Sequence, residues 1–512
     1  MRGPDAGGEH GTSPVGRYPA NGSGLFDMIG NVRLPPARRP YGLARGDRHR
    51  MAGTRSGSGR NAPGIGTPAT GTTGAPKPLA NHKLNRQNNR QFSHAQLHYV
   101  IDITILKSAT KAAKVTSIAA MEPLLPEDHK SELANLATDL VAKASTLAGK
   151  FNPVLQDSLG ALVRSMNCYY SNLIEGHHTH PVDIDRALAG DYSNEPEKRN
   201  LQLEAKAHID VQRKIDGGEA PSPVTTTEFI RWVHREFCGQ LPPELLKVKD
   251  PITGREEPVI PGEFRTHGVQ VGHHIAPEHE ALPELLERFS TFYGDKGLSK
   301  IQRIVGVAAS HHRLAWIHPF ADGNGRVARL FSHALLRELG VGSSLWSISR
   351  GLGRARDKYK SALQEADEPR RGDLDGRGNL TQAGLELFCT FFLTSCVDQV
   401  TFMEGLLEPS ELLRRIQIWC EEETRAERLP KGSWPLLREA VLTGRFKRGK
   451  APELTGYQAR QARTVLNTLI KDRFLVSPTT RSDVRLGLPL VIVDRWFPRL
   501  YPFSVSDGTG GP

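Results

Sequence analysis

Twelve positions, His318-Pro-Phe-Ala-Asp-Gly-Asn-Gly-Arg-Val-Ala-Arg329, bring together an imidazole, a carboxylate, a carboxamide, two guanidinium groups and two glycines. Helical periodicity flanks them, so the segment reads as a loop feeding a helix N-terminus. Such a terminus offers unpaired N–H groups and the positive end of a dipole, which together attract an anion. Gly323 and Gly325 have no Cβ to keep that anion away, and phosphate is the guest this predicts. Arg326 and Arg329 suit bidentate contacts to phosphate oxygens, and Asn324 adds a neutral donor. Asp322 carries the hard oxygen by which a phosphate-bound Mg2+ is held. His318 is the one group of the loop that exchanges a proton near neutral pH, which makes it the candidate general base. Phe320 is left to anchor the loop in the core. No Walker lysine is present, so this is phosphoryl chemistry without a P-loop. A bare Gly-Asn-Gly turn joining two helices would leave the Asp and the His at their offsets without a reason.

The elements that must position these groups are helical. Leu155, Leu159, Leu162, Val163, Met166 and Tyr170 recur at three- and four-residue steps after Asn152-Pro153, the apolar stripe of one helix. Ile301, Ile304, Val305, Ala308, His312, Ala315 and Trp316 form a second stripe, with Ser299 as its N-cap. A third helix starts near Arg326, runs through Leu330, Ala334 and Leu335, and stops at Gly340. Between the first two, Phe264 to Gly272 alternates Val269 and Val271 among glycines and reads as a short hairpin. Toward the C-terminus, Ser433 to Gly444 and Thr455 to Lys471 read as two helices, the second burying Ala462, Val465, Leu466, Leu469 and Ile470. Two β-rich runs follow, Phe474 to Val476 and Leu488 to Val493, with Arg481 and Arg485 in the turn between them. Helix, helix and ribbon is the outline of a winged helix-turn-helix. Opposite its apolar stripe lie Arg460, Arg463, Thr464, Asn467 and Lys471, types that contact phosphates and base edges, preceded by Arg445, Lys447, Arg448 and Lys450. DNA is one partner this module suits, and protein contact or a homodimer is the other.

With these residues in view, the loop resembles the signature of the Fic family, His-x-Phe-x-Asp-Gly-Asn-Gly-Arg-x-x-Arg, at every specified position. The resemblance implies a mostly α fold, a Fic-type helical bundle with a small β-hairpin flap, here followed by the winged helix-turn-helix. It also implies a protein adenylyltransferase. His318 would deprotonate a Ser, Thr or Tyr hydroxyl of a target protein, whose oxygen attacks the α-phosphate of ATP while pyrophosphate leaves. Asp322 would hold Mg2+, Asn324 and the backbone around Gly323 and Gly325 would stabilise the developing charge, and Arg326 and Arg329 would hold the β- and γ-phosphates. Positioning and electrostatic stabilisation carry such a reaction. A branch of the family that transfers phosphate instead has Ala and Lys where this chain keeps both glycines, which favours AMP transfer.

Ser171-Asn-Leu-Ile-Glu175-Gly176 resembles the family's inhibitory motif, [Ser/Thr]-x-x-x-Glu-[Gly/Asn]. Ser171 and Glu175 are four apart and share a helix face. By the resemblance, Glu175 pairs with Arg329 and keeps ATP from settling productively, so low basal activity is expected. Thr266, His267, Gly268, Val269, Gln270, Val271 and Gly272 would form the flap, pairing edge-on with the target segment; an ordinary surface hairpin is the other reading. His177, His178, His180, His273 and His274 lack the helical spacing to a carboxylate partner that a metal site needs, and read as solvated.

Residues 1–90 hold 14 Lys and Arg against 4 Asp and Glu, and residues 411–512 hold 18 against 11, so the net +11 belongs to the two ends. Residues 1–88, rich in Gly, Pro and Arg, cannot bury enough surface to offset ordering and read as a disordered tail, or as sequence ahead of a later start at Met28 or Met51. Gly64-Ile-Gly66 within them follows no strand and is not a nucleotide fingerprint. Residues 89–255 read as an N-terminal helical region with the inhibitory helix, 256–405 as the catalytic core, 406–432 as a helical linker and 433–512 as the winged-helix-like domain. Five cysteines without a C-x-x-C spacing suit a reducing compartment. No run approaches the roughly 18 to 20 apolar residues of a membrane span, and no signal peptide opens the chain. These features point to the cytoplasm, where ATP is at hand, and to no membrane partner. Two further readings stay open: a DNA-binding regulator whose Fic part senses a nucleotide, and an enzyme of the same fold that removes AMP or transfers another phosphate-linked group.

Overall fold

Residues 118–249 and 256–502 are described by the computed structural model, so the tail read over 1–88, with its Gly64-Ile-Gly66 and both internal methionine starts, lies outside the described residues. In chain order come α1 (Glu132–Gly149), α2 (Pro153–Glu175), α3 (Pro181–Leu188), α4 (Pro196–Asp216) and α5 (Thr227–Cys238). Two antiparallel pairs follow, β1 (Lys247–Lys249) with β2 (Glu256–Pro258) and β3 (Gln270–Val271) with β4 (His274–Ile275). Then come α6 (Leu282–Tyr293), α7 (Lys300–Ile317), α8 (Asn324–Glu338), α9 (Ile348–Arg354), α10 (Arg356–Asp367) and α11 (Gln382–Leu406). The expected mostly helical fold is the one found.

Local chemistry sets the ends of the helices that matter most. Asn152 accepts a hydrogen bond from the Leu155 N–H at 2.9 Å, Pro153 fills the first turn, and left-handed Gly176 (φ 91°) closes α2. Ser299 and Gln302 bond each other's backbone N–H in a capping box that opens α7. The third predicted helix begins at Asn324, two residues before Arg326, because Gly323 (φ 79°) turns the chain into it. The α7–α8 pair packs on α5, α6 and α11, and α2 packs on α4 and α9.

Against the expectation of no membrane-length run, α11 has 25 residues and within them an 18-residue window with a mean hydropathy of 1.3, long and apolar enough to cross a membrane. It is the central helix here, burying Leu385, Phe388, Phe392, Leu393 and Val400 against α1, α7, α9 and α10.

After α12 (Pro409–Arg425), the C-terminal elements are α13 (Ser433–Thr443), β5 (Arg445–Phe446), α14 (Ala451–Thr455), α15 (Ala459–Lys471), β6 (Leu475–Val476), β7 (Val484–Leu486) and α16 (Val493–Trp496). The sheet order is β5-β7-β6, all antiparallel. This corrects the strand expected over Leu488 to Val493, which is a 3-10 turn leading into α16. Pro489 has a fixed φ and no N–H to give a ladder, so pairing stops before it. The helix expected from Thr455 begins instead at Ala459; Thr455 is the last residue of α14, which left-handed Gly456 (φ 70°) closes.

Candidate active site

The loop between α7 and α8 is held from inside. Phe320 is fully buried, stacked on the His234 ring at 3.9 Å between centroids. Both ends of the Asn324 carboxamide bond the Phe320 backbone, its Oδ1 accepting from N at 2.9 Å and its Nδ2 donating to O at 2.8 Å. Asn324, read as a donor to phosphate, is thus a brace of the loop in this conformation, while Phe320 is the anchor it was read as.

His318 caps α7 in a left-handed conformation (φ 50°) that non-glycine residues rarely adopt. Its Nδ1 lies 3.3 Å from the Ala315 carbonyl, which fixes the proton on that nitrogen and leaves Nε2 to accept one. Nε2 is buried and has no hydrogen-bond partner among the described residues. Burial, with help from His274 and Arg265, pushes the ring down to about 3, so it is a neutral imidazole at physiological pH. Asp322 is also buried, and its carboxyl is raised by that burial despite the nearby Arg326 and a 2.6 Å bond from the Gly323 N–H. A dehydrated carboxylate of this kind is relieved by a cation, so Asp322 fits the Mg2+ role expected of it.

The two arginines are buried and already engaged. Arg329 donates through Nε to Ser171 Oγ at 2.9 Å and pairs through Nη2 with Glu175. Burial works to raise the Glu175 carboxyl, but Arg329 and Arg326 outweigh it and bring it down to about 2. Gly176 is the left-handed residue that ends α2 directly after this glutamate. Arg326 bonds Glu204 Oε2 at 2.8 Å and His177 Nδ1 at 2.9 Å, its guanidinium over the Phe237 ring. The structure therefore brings Ser171, Glu175, Asp322, Gly325, Arg326 and Arg329 to one place beside His318. A cavity of about 540 Å³ opens there, lined among others by Glu175, Val271, His318, Gly325, Arg329 and Tyr359.

On the flap, Thr266 and Gly272 are exposed, His267, Gly268, Gln270 and Val271 partly buried, and Val269 buried. The expected segment holds only the first strand, since β4 lies beyond it at His274–Ile275. Residues that sequence reasoning missed tie this hairpin down. Arg265, buried, donates to the carbonyls of His318 (2.7 Å), His267 (2.8 Å) and Pro277 (2.6 Å). His274, read as solvated, is partly buried, with Nε2 2.8 Å from the Trp316 carbonyl and Nδ1 3.4 Å from Asp367. His177 was read as solvated too and is buried against Glu204, whereas His178, His180 and His273 are exposed as expected. Glu204 lies on α4, far from any short motif; a buried arginine's need for a carboxylate was the only signal for it.

Residues 225–336 match the Fic/DOC family model, a span that takes in the flap, α7, the loop and all but the last two residues of α8. Curated relatives named "Protein adenylyltransferase Fic" from Drosophila erecta and Drosophila melanogaster are each 36% identical over 125 residues, which is 24% of this chain and 24% of theirs. The chain thus matches about a quarter of those relatives' length. Among solved structures, a Fic family protein from Desulfovibrio desulfuricans G20 covers 71% of this chain and 98% of its own, at 18% identity and a TM-score of 0.41.

Proposed function

The chain carries a Fic/DOC-family domain at residues 225–336, and on that premise we propose that it transfers AMP from ATP to a hydroxyl of a target protein. The observation that carries this reading is the neutral His318 Nε2, buried and without a hydrogen-bond partner among the described residues, beside the arginines and the glycine-lined start of α8. A Ser, Thr or Tyr oxygen brought up along the flap gives its proton to Nε2 and forms a bond to the α-phosphorus. The bond from that phosphorus to the bridging oxygen breaks, and pyrophosphate leaves with the electron pair. Backbone N–H groups at the start of α8 meet the charge that grows on the α-phosphate. Asp322 would hold Mg2+, which neutralises phosphate charge when bound.

The basal state on this reading is inhibited, because Glu175 takes the arginine that the phosphates need and its carboxylate crowds Gly325. The cytoplasm remains the compartment we propose, since all five cysteines are buried and unpaired. Incubating the protein and its Glu175→Gly variant with radiolabelled ATP and Mg2+ tests the proposal. Covalent label that His318→Ala abolishes supports AMP transfer. Nucleotide that binds without ever labelling protein would leave a sensor, and label released from modified protein would indicate AMP removal.

A further inference from the structure

A second charged surface lies outside the nucleotide site. α15 buries Ala462, Val465, Leu466 and Leu469 and turns Arg460, Arg463, Thr464, Asn467 and Lys471 to solvent, all five exposed. No acidic residue occurs between Ala459 and Lys471, and residues 445–485 hold ten Lys and Arg against three Asp and Glu. Among the described residues Arg460, Arg463 and Lys471 make no ion pair, unlike Arg164, Lys214, Arg326 and Arg329 of the catalytic body. The β6–β7 turn, reached from α15 through β6, is tied by its own hydrogen bonds. Ser477 Oγ lies 3.0 Å from the carbonyls of Thr479 and Ser482, and Thr479 Oγ1 accepts from the Ser482 N–H at 3.1 Å, leaving Arg481 exposed.

We propose that this face, α15 with the β6–β7 turn that follows it, binds double-stranded DNA. A 13-residue helix is about 20 Å long and about 10–12 Å across, which fits a major groove about 12 Å wide. Unopposed cations spaced along it match the phosphates on either side, and Thr464 and Asn467 between them have donors and acceptors for base edges. The outward stripe carries no aromatic ring, so it lacks the stacking platform of single-strand binders. Duplex RNA is disfavoured because its major groove is too deep and narrow for side chains to read.

The full chain is titrated with a fluorescein-labelled, mixed-sequence DNA duplex at several salt concentrations, reading anisotropy. The same is done for Arg460→Glu/Arg463→Glu/Lys471→Glu and for a charge-matched control, Lys296→Glu/Arg414→Glu/Arg425→Glu, placed on the α6–α7 turn and on α12, outside α13 to α15. The control subtracts any contribution of the basic N-terminal segment. We expect the α15 variant to lose at least about tenfold in affinity and roughly two to three units of salt slope, with the control within about twofold of the parent. Equal losses in both variants, no binding by the parent, or equal or tighter binding of duplex RNA or of polyglutamate would overturn the proposal. His318→Ala, run alongside, should bind DNA like the parent, so failure here is separable from failure of AMP transfer.

Discussion

The carboxylate of Glu175 lies against Gly325: a Cβ built on that glycine would stand 2.5 Å from Glu175 Oε1. The same carboxylate pairs with Arg329, which Ser171 holds through Nε. One anion thus sits where the start of α8 and its second arginine would meet the phosphates of ATP. Glu175→Gly should raise covalent self-labelling by at least about tenfold, the equivalent of about 1.4 kcal/mol. Glu175→Asp, one methylene shorter, should fall between. A folded Glu175→Gly protein that labels at the parental rate would remove the inhibitory role.

The His318 ring is held to about 3 by burial, His274 and Arg265. Its basic form is the neutral one, so activity is present above its pKa and lost as pH falls through it. The acidic limb of kcat/KM, which reports the free enzyme, should therefore lie below the ordinary histidine value of about 6.5. In Glu175→Gly the limb should move lower still, because the glutamate's charge raises the ring. A limb at neutral pH that His274→Ala leaves unmoved would contradict this account of the base.

Much of this was legible in the residues because local rules agreed. Asn152-Pro153 and Gly176 bounded α2, Ser299 opened α7, and the glycines of the loop marked the entry to α8. What was not legible depends on contacts distant in sequence. Glu204 meets Arg326 across 122 positions, and Arg265 reaches the His318 carbonyl across 53. A histidine next to the flap looks like any loop histidine until Asp367 and Trp316 fold against it. The strand expected over Leu488 to Val493 fails for a local reason: Pro489, with no N–H for a ladder, outweighs the apolar run around it.

Acid should destabilise the fold earlier than its carboxylates alone would dictate. Burial pushes His208 and His311 down to about 3 and His234 to about 4. The unfolded chain takes up these protons from about pH 6.5 downward while the native state does not, so stability is lost as pH falls through that window. Glu175, lowered to about 2, adds a loss of the same sign below about pH 4.5. His208 has no hydrogen-bond partner at either ring nitrogen among the described residues, so an apolar side chain of similar size can replace it. His208→Leu should raise the urea midpoint more at pH 5 than at pH 8. An identical shift at both pH values would show that His208 does not carry the proton linkage.

Arg326 and Glu204 form a buried pair, with side chains 4% and 1% exposed. Glu204→Gln keeps the shape and one acceptor but removes the carboxylate bonded to the Arg326 guanidinium, leaving that buried cation with less negative charge around it. Breaking such a pair from one side costs about 3–5 kcal/mol, a loss that denaturant unfolding measures directly. If Arg326 is an arm for phosphates, the triphosphate supplies part of the missing negative charge when it binds. In a Glu175→Gly background, ATP should then raise the melting temperature of the Glu204→Gln protein by more than it raises that of its parent. An equal or smaller increment would make the pair a structural strut with no share in holding nucleotide. A larger one would mean that Glu204 keeps this arginine in place until ATP arrives.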